Sequence, residues 1–518
     1  MPGSPTSYAS HRCRCTAATT TAGAPPGPWP RWCVPVAEQS LAQSRPQSRP
    51  QPRPLADAPD GTHGEKRDVA IIGAGLAGCL AAALLGRRGH AVTLYERRAD
   101  PRAAGAERGR SINLALSARG FGALAEVGLE QEVLAQGLPM HGRMVHAPDG
   151  PPQLQPYSAD QDRAIHSVSR SRLNAILLDT AEAVPGVDIV FGHQLDSVDL
   201  DRGRLTFRTD DGPVEKVAGL VLGADGSYAA SRRAVTFRPG FDFSQDYLSH
   251  GYKELTIPAV GGDFAIDPGA LHIWPQGSSM MIALPNLDKS FTCTLFWTAE
   301  EFAALRTDDE IRDHFARHYP DVAGLIPDLV TDFRANPVGS LVTIRCSPWV
   351  HHGEGASLAL LGDAAHAIVP FFGQGANCAF EDCIELDRQL AGSGDPVAAL
   401  EAYQEARKAN CDAIAEMALD NFVEMRDRVS SPVFRVRSKA LHALERTFPG
   451  RFPTRYELVS FSTVPYVEID ERMRRQHLGL FGAAAGAGAM VLALVRRFRD
   501  ARSSLLNHRD SRGSRVEA

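Results

Sequence analysis

Apolar residues first fall into a folding pattern at Asp68, where Asp68-Val-Ala-Ile-Ile is a short β-branched run of the kind that makes a buried strand. Gly73-Ala-Gly75-Leu-Ala-Gly78 follows, then an Ala- and Leu-rich helical stretch through Arg88 that Gly89 stops, then Ala91-Val-Thr-Leu-Tyr95, a second strand ending at Glu96. Strand, glycine turn, helix, strand and acid occur here in the spacing of a dinucleotide-binding βαβ unit. Two later apolar runs end in related turns. Residues 218–226 close on Asp225-Gly226, with Arg232 six residues on, and residues 357–366 run into Gly362-Asp363 and His366. Pro370-Phe-Phe-Gly373-Gln374-Gly375-Ala376-Asn377 then leads into a long helix predicted from about Cys378. Between these segments, residues 248–298 alternate apolar and polar positions between turns, which predicts antiparallel strands.

Each turn has a chemical reading. Gly73 permits a tight bend, Gly75 lets the backbone approach a pyrophosphate, and Gly78 lets the helix pack closely on the strand. The helix N-terminus then faces the phosphates with its partial positive charge. Glu96 is placed to accept hydrogen bonds from ribose hydroxyls and would repel a 2′-phosphate, a reading that the adjacent Arg97 and Arg98 complicate. Asp363, at the carboxyl end of a parallel strand, lies where α/β sheets bind ligands and can reach a ribityl hydroxyl. The glycines after it offer bare backbone N–H groups.

Charge changes the picture at the ends. The 518 residues carry 55 Lys plus Arg against 61 Asp plus Glu, a net charge of −6, and 44% of them are hydrophobic. Residues 1–66 sum to +3 (7 minus 4), residues 472–518 to +7 (10 minus 3), and residues 67–471 to −16 (38 minus 54). An acidic body argues against nucleic acid, which requires clustered cations. The nine cysteines lack paired CxxC motifs and read as reduced, packed thiols, with no metal site. The first 54 residues hold 11 of the 35 prolines and one acid, Glu38, and are expected to be disordered: a dispensable tail or a targeting segment. Residues 478–495 are 18 in a row without charge, flanked by arginines. As a helix they would measure about 27 Å, near the thickness of a bilayer core. Half of them are Gly or Ala, so a spanning helix, an interfacial segment and a buried hairpin all remain open; the expected location is cytoplasmic, with a membrane contact through this segment.

In the order GxGxxG, DG, GD, these segments resemble the FAD-dependent aromatic hydroxylases, the single-component flavoprotein monooxygenases. Longer stretches are similar to the kynurenine 3-monooxygenase family within them: Arg110-Ser-Ile-Asn113-Leu-Ala-Leu-Ser, His250-Gly-Tyr-Lys-Glu-Leu-Thr-Ile-Pro, Leu271-His-Ile-Trp-Pro, Lys289-Ser-Phe-Thr-Cys-Thr-Leu-Phe, and the segment around Gly362-Asp363. The resemblance runs from about Asp68 to Arg475. It implies FAD as cofactor, NADPH and O2 as co-substrates, L-kynurenine as substrate, and 3-hydroxykynurenine as product through a flavin C4a-hydroperoxide. A hydroxylase of another aromatic acid is the alternative, and preference between NADPH and NADH stays open.

The implied fold is α/β plus β: a Rossmann-like FAD-binding domain (67–240 and 335–400), an antiparallel substrate-domain sheet (241–334) over the flavin's reacting face, and a C-terminal helical region (401–475). Residues 1–66 form an extension, and 476–518 hold the apolar segment and basic tail. The resemblance places Arg143 and Tyr157 on the substrate carboxylate, with Asn421 and Tyr456 as further substrate contacts. For the flavin it points to Ala77, Glu96, Arg98, Ala115, Arg170, Leu195, Asp225, Asp363, Ala376 and Asn377, beside Gly73, Gly75 and Gly78. His366 is read as a structural hydrogen-bonder, and the chemistry as carried by FAD with no catalytic side chain assigned.

Overall fold

Four of the five residues of β1 (Asp68–Ile72) are buried, as expected of a parallel strand covered on both faces. The chain turns at Gly73 into α1 (Leu76–Arg87) and returns as β2 (Ala91–Tyr95), and these are the first elements of the computed structural model, which describes residues 67–103, 113–147, 150–428, 441, 443–448, 450–476 and 478–479. β1 and β2 sit centrally in a six-stranded sheet of order Val350–His352, Ser357–Leu360, Leu220–Gly223, β1, β2, Val187–Val190, parallel except at the first strand. All three turns read from the sequence therefore leave the carboxyl ends of neighbouring parallel strands. The Ala224 N–H donates to the Ile72 carbonyl (2.9 Å) and the Leu361 N–H to the Gly223 carbonyl (2.8 Å), which holds the turns side by side.

A seven-stranded sheet lies beyond them, ordered Gly339–Ser347, Asp242–Ile257, Phe291–Thr298, Ser279–Pro285, Ala270–Gln276, Gly142–Val145, Gln153–Pro156. It extends past the 241–334 segment on both sides. The Gly142–Val145 strand joins it in parallel, pairing Arg143 with Leu271. Strands of four residues are too short for alternation to be legible. One face of this sheet packs Trp274, Trp297 and Phe291 against Phe315, Tyr319 and Phe333 in a separate aromatic core, leaving the other face for the cavity described below.

The helix Gly375–Gly392 begins earlier than the predicted Cys378, because the Gln374 carbonyl already accepts from the Cys378 N–H at 2.8 Å. It packs against α1 and against the 28-residue helix Pro396–Val423. The proline-rich extension and the apolar run 478–495, apart from Leu478 and Gly479, lie outside the described residues. Among the described residues, no helix is long and apolar enough to cross a membrane.

Candidate active site

Two cavities of about 410 and 450 Å3 open at the strand ends and share Gly75, Arg170, Ala224 and Gly226. The second is lined by Gly73, Glu96, Arg98, Leu195 and Asp225. The first runs from Ala77, Ala115, Asp363 and Ala376 to Arg143, Tyr157 and Tyr456. Gly78 and Asn377 line neither, and act from behind. A Cβ on Gly78 would fall 1.9 Å from the Gly73 carbonyl oxygen, whereas one on Gly75 would meet nothing within 4 Å. Gly73 itself has φ +103°, a left-handed conformation that favours glycine.

The space over Gly75 and the bare carboxylate of Asp363 fit a flavin dinucleotide. Asp363 is exposed to the cavity and has no hydrogen-bond or ion-pair partner among the described residues, so it is free to accept from a hydroxyl chain. Gly75→Ala is expected to leave thermal unfolding of the apoprotein unchanged while lowering retained FAD. Gly78→Ala, which must displace backbone, is expected to lower both; flavin-to-protein absorbance ratios beside melting curves check this.

Several polar groups at the site are already committed. One Glu96 oxygen accepts from the Ala74 N–H (3.0 Å) and the other from the Arg98 N–H (3.0 Å) and Nε (2.8 Å), so Arg98 neutralises Glu96. Asp225 accepts from the N–H groups of Ala230 (2.6 Å) and Ser231 (3.0 Å), anchoring its turn. Arg232 crosslinks two turns, donating to the carbonyls of Ser227 (2.5 Å) and Ala364 (2.6 Å). The Asn377 amide accepts from the Ser117 N–H (3.0 Å) and donates to the carbonyls of Ala115 (3.0 Å) and Gly373 (2.8 Å). It shapes the cavity wall through backbone.

At the far end, buried Arg143 donates to Glu424 Oε1 (3.3 Å) and to Asn421 Oδ1 (3.2 Å). Its guanidinium carbon lies 4.9 Å from the centre of the Tyr456 ring and 5.8 Å from that of Tyr157. The two tyrosines stack with centroids 4.3 Å apart. Ser158 donates to Glu457 (2.6 Å) and so fixes each tyrosine's neighbour to the other. Burial pulls the Arg143 guanidinium down, but Glu424 and the two phenols carry it above its ordinary value. Burial raises the Tyr157 phenol far above its ordinary value, so both sides of the cluster keep their protons. The result is a planar cation with two phenols at the end of a cavity.

Asn421 does not line the cavity: its amide also donates to the Phe371 carbonyl (2.7 Å), so it holds Arg143 against the Pro370–Phe372 turn. Residues that sequence reading did not single out complete the wall, among them Met425, Leu284, Phe371 and Phe296. Glu424 and Met425 stand three and four residues after Asn421, a helical spacing that is the available signal for them. Of the aromatic residues on the 248–298 strands, Tyr252 and Phe296 face the cavity.

Behind Asp363, His366, Asp382, Cys378 and Cys411 bring ligand-type atoms within 4.8 Å of one another. The Arg407 guanidinium lies among them, donating to Asp382 Oδ1 (2.7 Å), and His366 Nε2 lies 2.5 Å from Asp382 Oδ2. A resident arginine and a carboxylate saturated by cations describe an ion-pair network, and His366 is a hydrogen-bonder within it.

An FAD binding domain family model matches residues 66–418. The chain is 49% identical over 407 residues to a kynurenine 3-monooxygenase of Myxococcus xanthus, covering 77% of this chain and 87% of that one. It is 45% identical over 427 residues to that of Stenotrophomonas maltophilia (81% and 93% covered) and 43% identical over 418 residues to that of Dictyostelium discoideum (77% and 89%). Among solved structures it resembles 2-methyl-3-hydroxypyridine-5-carboxylic acid oxygenase, with a TM-score of 0.58, 22% identity, and 72% of this chain and 96% of that chain covered. It also resembles PqsL of P. aeruginosa in complex with 2-aminobenzoylacetate, with a TM-score of 0.58, 22% identity, and 70% and 98% covered. These two likenesses concern the fold. With nine-tenths of its relatives' length matched and the glycine, Asp-Gly and Gly-Asp turns assembled at one sheet edge, this chain belongs to the kynurenine 3-monooxygenase family of FAD-binding proteins.

Proposed function

We propose that this protein hydroxylates L-kynurenine to 3-hydroxykynurenine with NADPH and O2, a step of tryptophan catabolism. The observation that carries the reading is a buried Arg143, flanked by Tyr157 and Tyr456, closing a largely apolar cavity that begins at the Gly362-Asp363 turn. FAD, when bound, supplies the electrons taken from NADPH and the activation of O2. Gly73, Gly75, Glu96 and Leu195 would hold its adenosine and diphosphate, and Asp363 with the backbone of Ala376 its ribityl and ring portions. Arg143 binds the amino-acid carboxylate through its planar fork. Tyr157 donates to the same carboxylate, and Tyr456 packs beside it. Anchoring one end fixes where the substrate ring lies, which supplies orientation. Leu284, Phe296, Phe371 and Met425 keep water away from the reacting face. The sheet containing Arg143 and the 401–475 helical region, in this reading, form the substrate half of the protein around the dinucleotide half.

The test is purified yellow protein whose NADPH oxidation accelerates on addition of L-kynurenine, with 3-hydroxykynurenine identified by mass. Yellow protein indifferent to kynurenine but stimulated by another aromatic acid would replace the substrate and keep the class. Colourless protein would sink the flavin reading.

A further inference from the structure

Two of the six described cysteines take no part in the proposed reaction, yet they face each other in the interior behind Asp363. Cys378, on the helix Gly375–Gly392, and Cys411, on the helix Pro396–Val423, bring their sulfurs to 3.4 Å. The contact sits among charges. Arg407 Nη2 donates to Cys378 Sγ (3.3 Å) and to Cys411 Sγ (3.8 Å), and Cys411 Sγ lies 3.7 Å from Asp382 Oδ1.

These surroundings set the pair apart. Burial holds the thiols of Cys79, Cys293, Cys346 and Cys383 above their ordinary value. Cys378 is drawn below its own, first by the hydrogen bond from Cys411 and then, against burial, by the charges of His366 and Arg407. Burial and that same bond keep the proton on Cys411. A thiolate held by cations beside a protonated thiol is the arrangement of an attacking sulfur and a resolving one. A small oxidant has a short way to travel, because Ala376 and Ala379, in the same turn of helix as Cys378, line the cavity that reaches Arg143.

We propose that Cys378 and Cys411 are a peroxide-oxidised pair that closes to a disulfide and loosens the seat of the flavin. The oxidant is hydrogen peroxide, the two-electron product of O2 at a reduced flavin that water can reach. Its source rests on the proposed O2-dependent reaction, whereas the thiol pair does not. The Cys378 thiolate attacks one peroxide oxygen, the O–O bond breaks, and the departing hydroxide takes up the proton given up by that thiol and leaves as water. The Cys411 sulfur then displaces the sulfenic hydroxyl on Cys378, which leaves with the Cys411 proton as a second water. Two thiols are oxidised by two electrons and one peroxide is reduced. The sulfurs must close from 3.4 Å to about 2 Å, which takes Cys378 from Arg407 and shifts the turn of helix that carries Ala376 and Ala379 into the cavity wall.

Treating the full-length yellow holoenzyme with hydrogen peroxide, then denaturing it in an alkylating agent and mapping its peptides by mass, tests this. A peptide joining Cys378 to Cys411, lighter by two hydrogens than its reduced halves, should form while Cys79, Cys293, Cys346 and Cys383 are still alkylated as thiols. Flavin should pass into the filtrate on ultrafiltration of the oxidised protein and rebind after a dithiol reductant. Cys411→Ser should stop at a sulfenic acid on Cys378, trapped by a cyclic diketone, and Cys378→Ser should give neither product and keep its flavin. The same joined peptide should appear when wild-type protein oxidises NADPH in air. A pair that stays reduced, oxidation of the other four cysteines ahead of it, or a bridge that leaves flavin bound would each overturn the proposal. A bridge formed by added peroxide but absent after NADPH oxidation would overturn the flavin as the source and leave the thiol site standing.

Discussion

Replacing Arg143 by alanine is expected to raise the KM for L-kynurenine by about 100- to 10,000-fold, the effect of losing two charge-assisted hydrogen bonds at about 1.5–3 kcal/mol each. Bound FAD should be unchanged, because Arg143 lies on the seven-stranded sheet at the end of the cavity remote from the glycine turn. The loss should fall mainly on KM, since the carboxylate contact is the same before and during ring hydroxylation. Arg143→Lys should recover part of it, because a lysine restores charge without the planar fork. In the alanine variant Glu424, whose carboxylate is partly exposed, loses its partner but can turn to water, so the fold should survive. Steady-state kinetics, direct kynurenine titration and the flavin absorbance of each variant check this. Wild-type kynurenine affinity in Arg143→Ala would remove the anchor from the proposed reaction.

How far such a site is legible without coordinates depends on whether its parts are local in sequence. The βαβ unit was legible because Gly73, Gly78 and Glu96 answer to constraints within one turn and one strand, and the structure supplies their physical form: a 1.9 Å clash awaiting any Cβ at Gly78, and φ +103° at Gly73. The Asp225 and Asp363 turns were legible as strand ends, and they do lie on adjacent parallel strands. The substrate end was accessible through resemblance alone, since Arg143 comes from a four-residue strand, Tyr157 from the loop after the next strand, and Tyr456 from a short helix far along the chain.

What stayed hidden is set by tertiary packing. Nothing in the four residues Gly142–Val145 says that they pair in parallel with Ala270–Gln276, yet that pairing carries Arg143 into the cavity. The resemblance points to Asn377 and Asn421 for flavin and substrate, and their amides bond to backbone and to Arg143, partners that only the packed chain shows. Cavity-lining Phe296 and Met425 carry no chemistry that a sequence pattern could flag. The membrane question raised by residues 478–495 rests on a segment outside the described residues.

The largest stability effect is expected at Asp382. Its buried carboxylate accepts from the Gly362 N–H (3.1 Å) and Arg407 Nε (2.7 Å) and lies 2.5 Å from His366 Nε2. Asp382→Ala would leave Arg407 with Glu381 (3.3 Å) as its remaining carboxylate and strip His366 of the partner that keeps it protonated, and breaking such a buried network typically costs about 3–5 kcal/mol. It would also release the turn that presents Asp363, so FAD should be lost before the chain unfolds. Burial alone would lower the His366 imidazole, but Asp382 raises it from 6.5 to about 9. Burial alone would raise the Asp382 carboxyl, but His366 and Arg407 lower it from 3.8 to about 2. The histidine's contribution to stability is therefore complete below its unfolded value and fades as pH rises from 6.5 toward about 9. The aspartate's is complete above its own unfolded value and fades as pH falls from 3.8 toward about 2. The network should stabilise the fold most fully between pH 3.8 and 6.5. Urea unfolding across pH should show a decline in wild-type stability from neutral to alkaline pH that is flattened in His366→Gln. An Asp382→Ala protein with wild-type stability and FAD content would mean that the cations find other partners, and the network would not be what holds the Gly-Asp turn under the flavin.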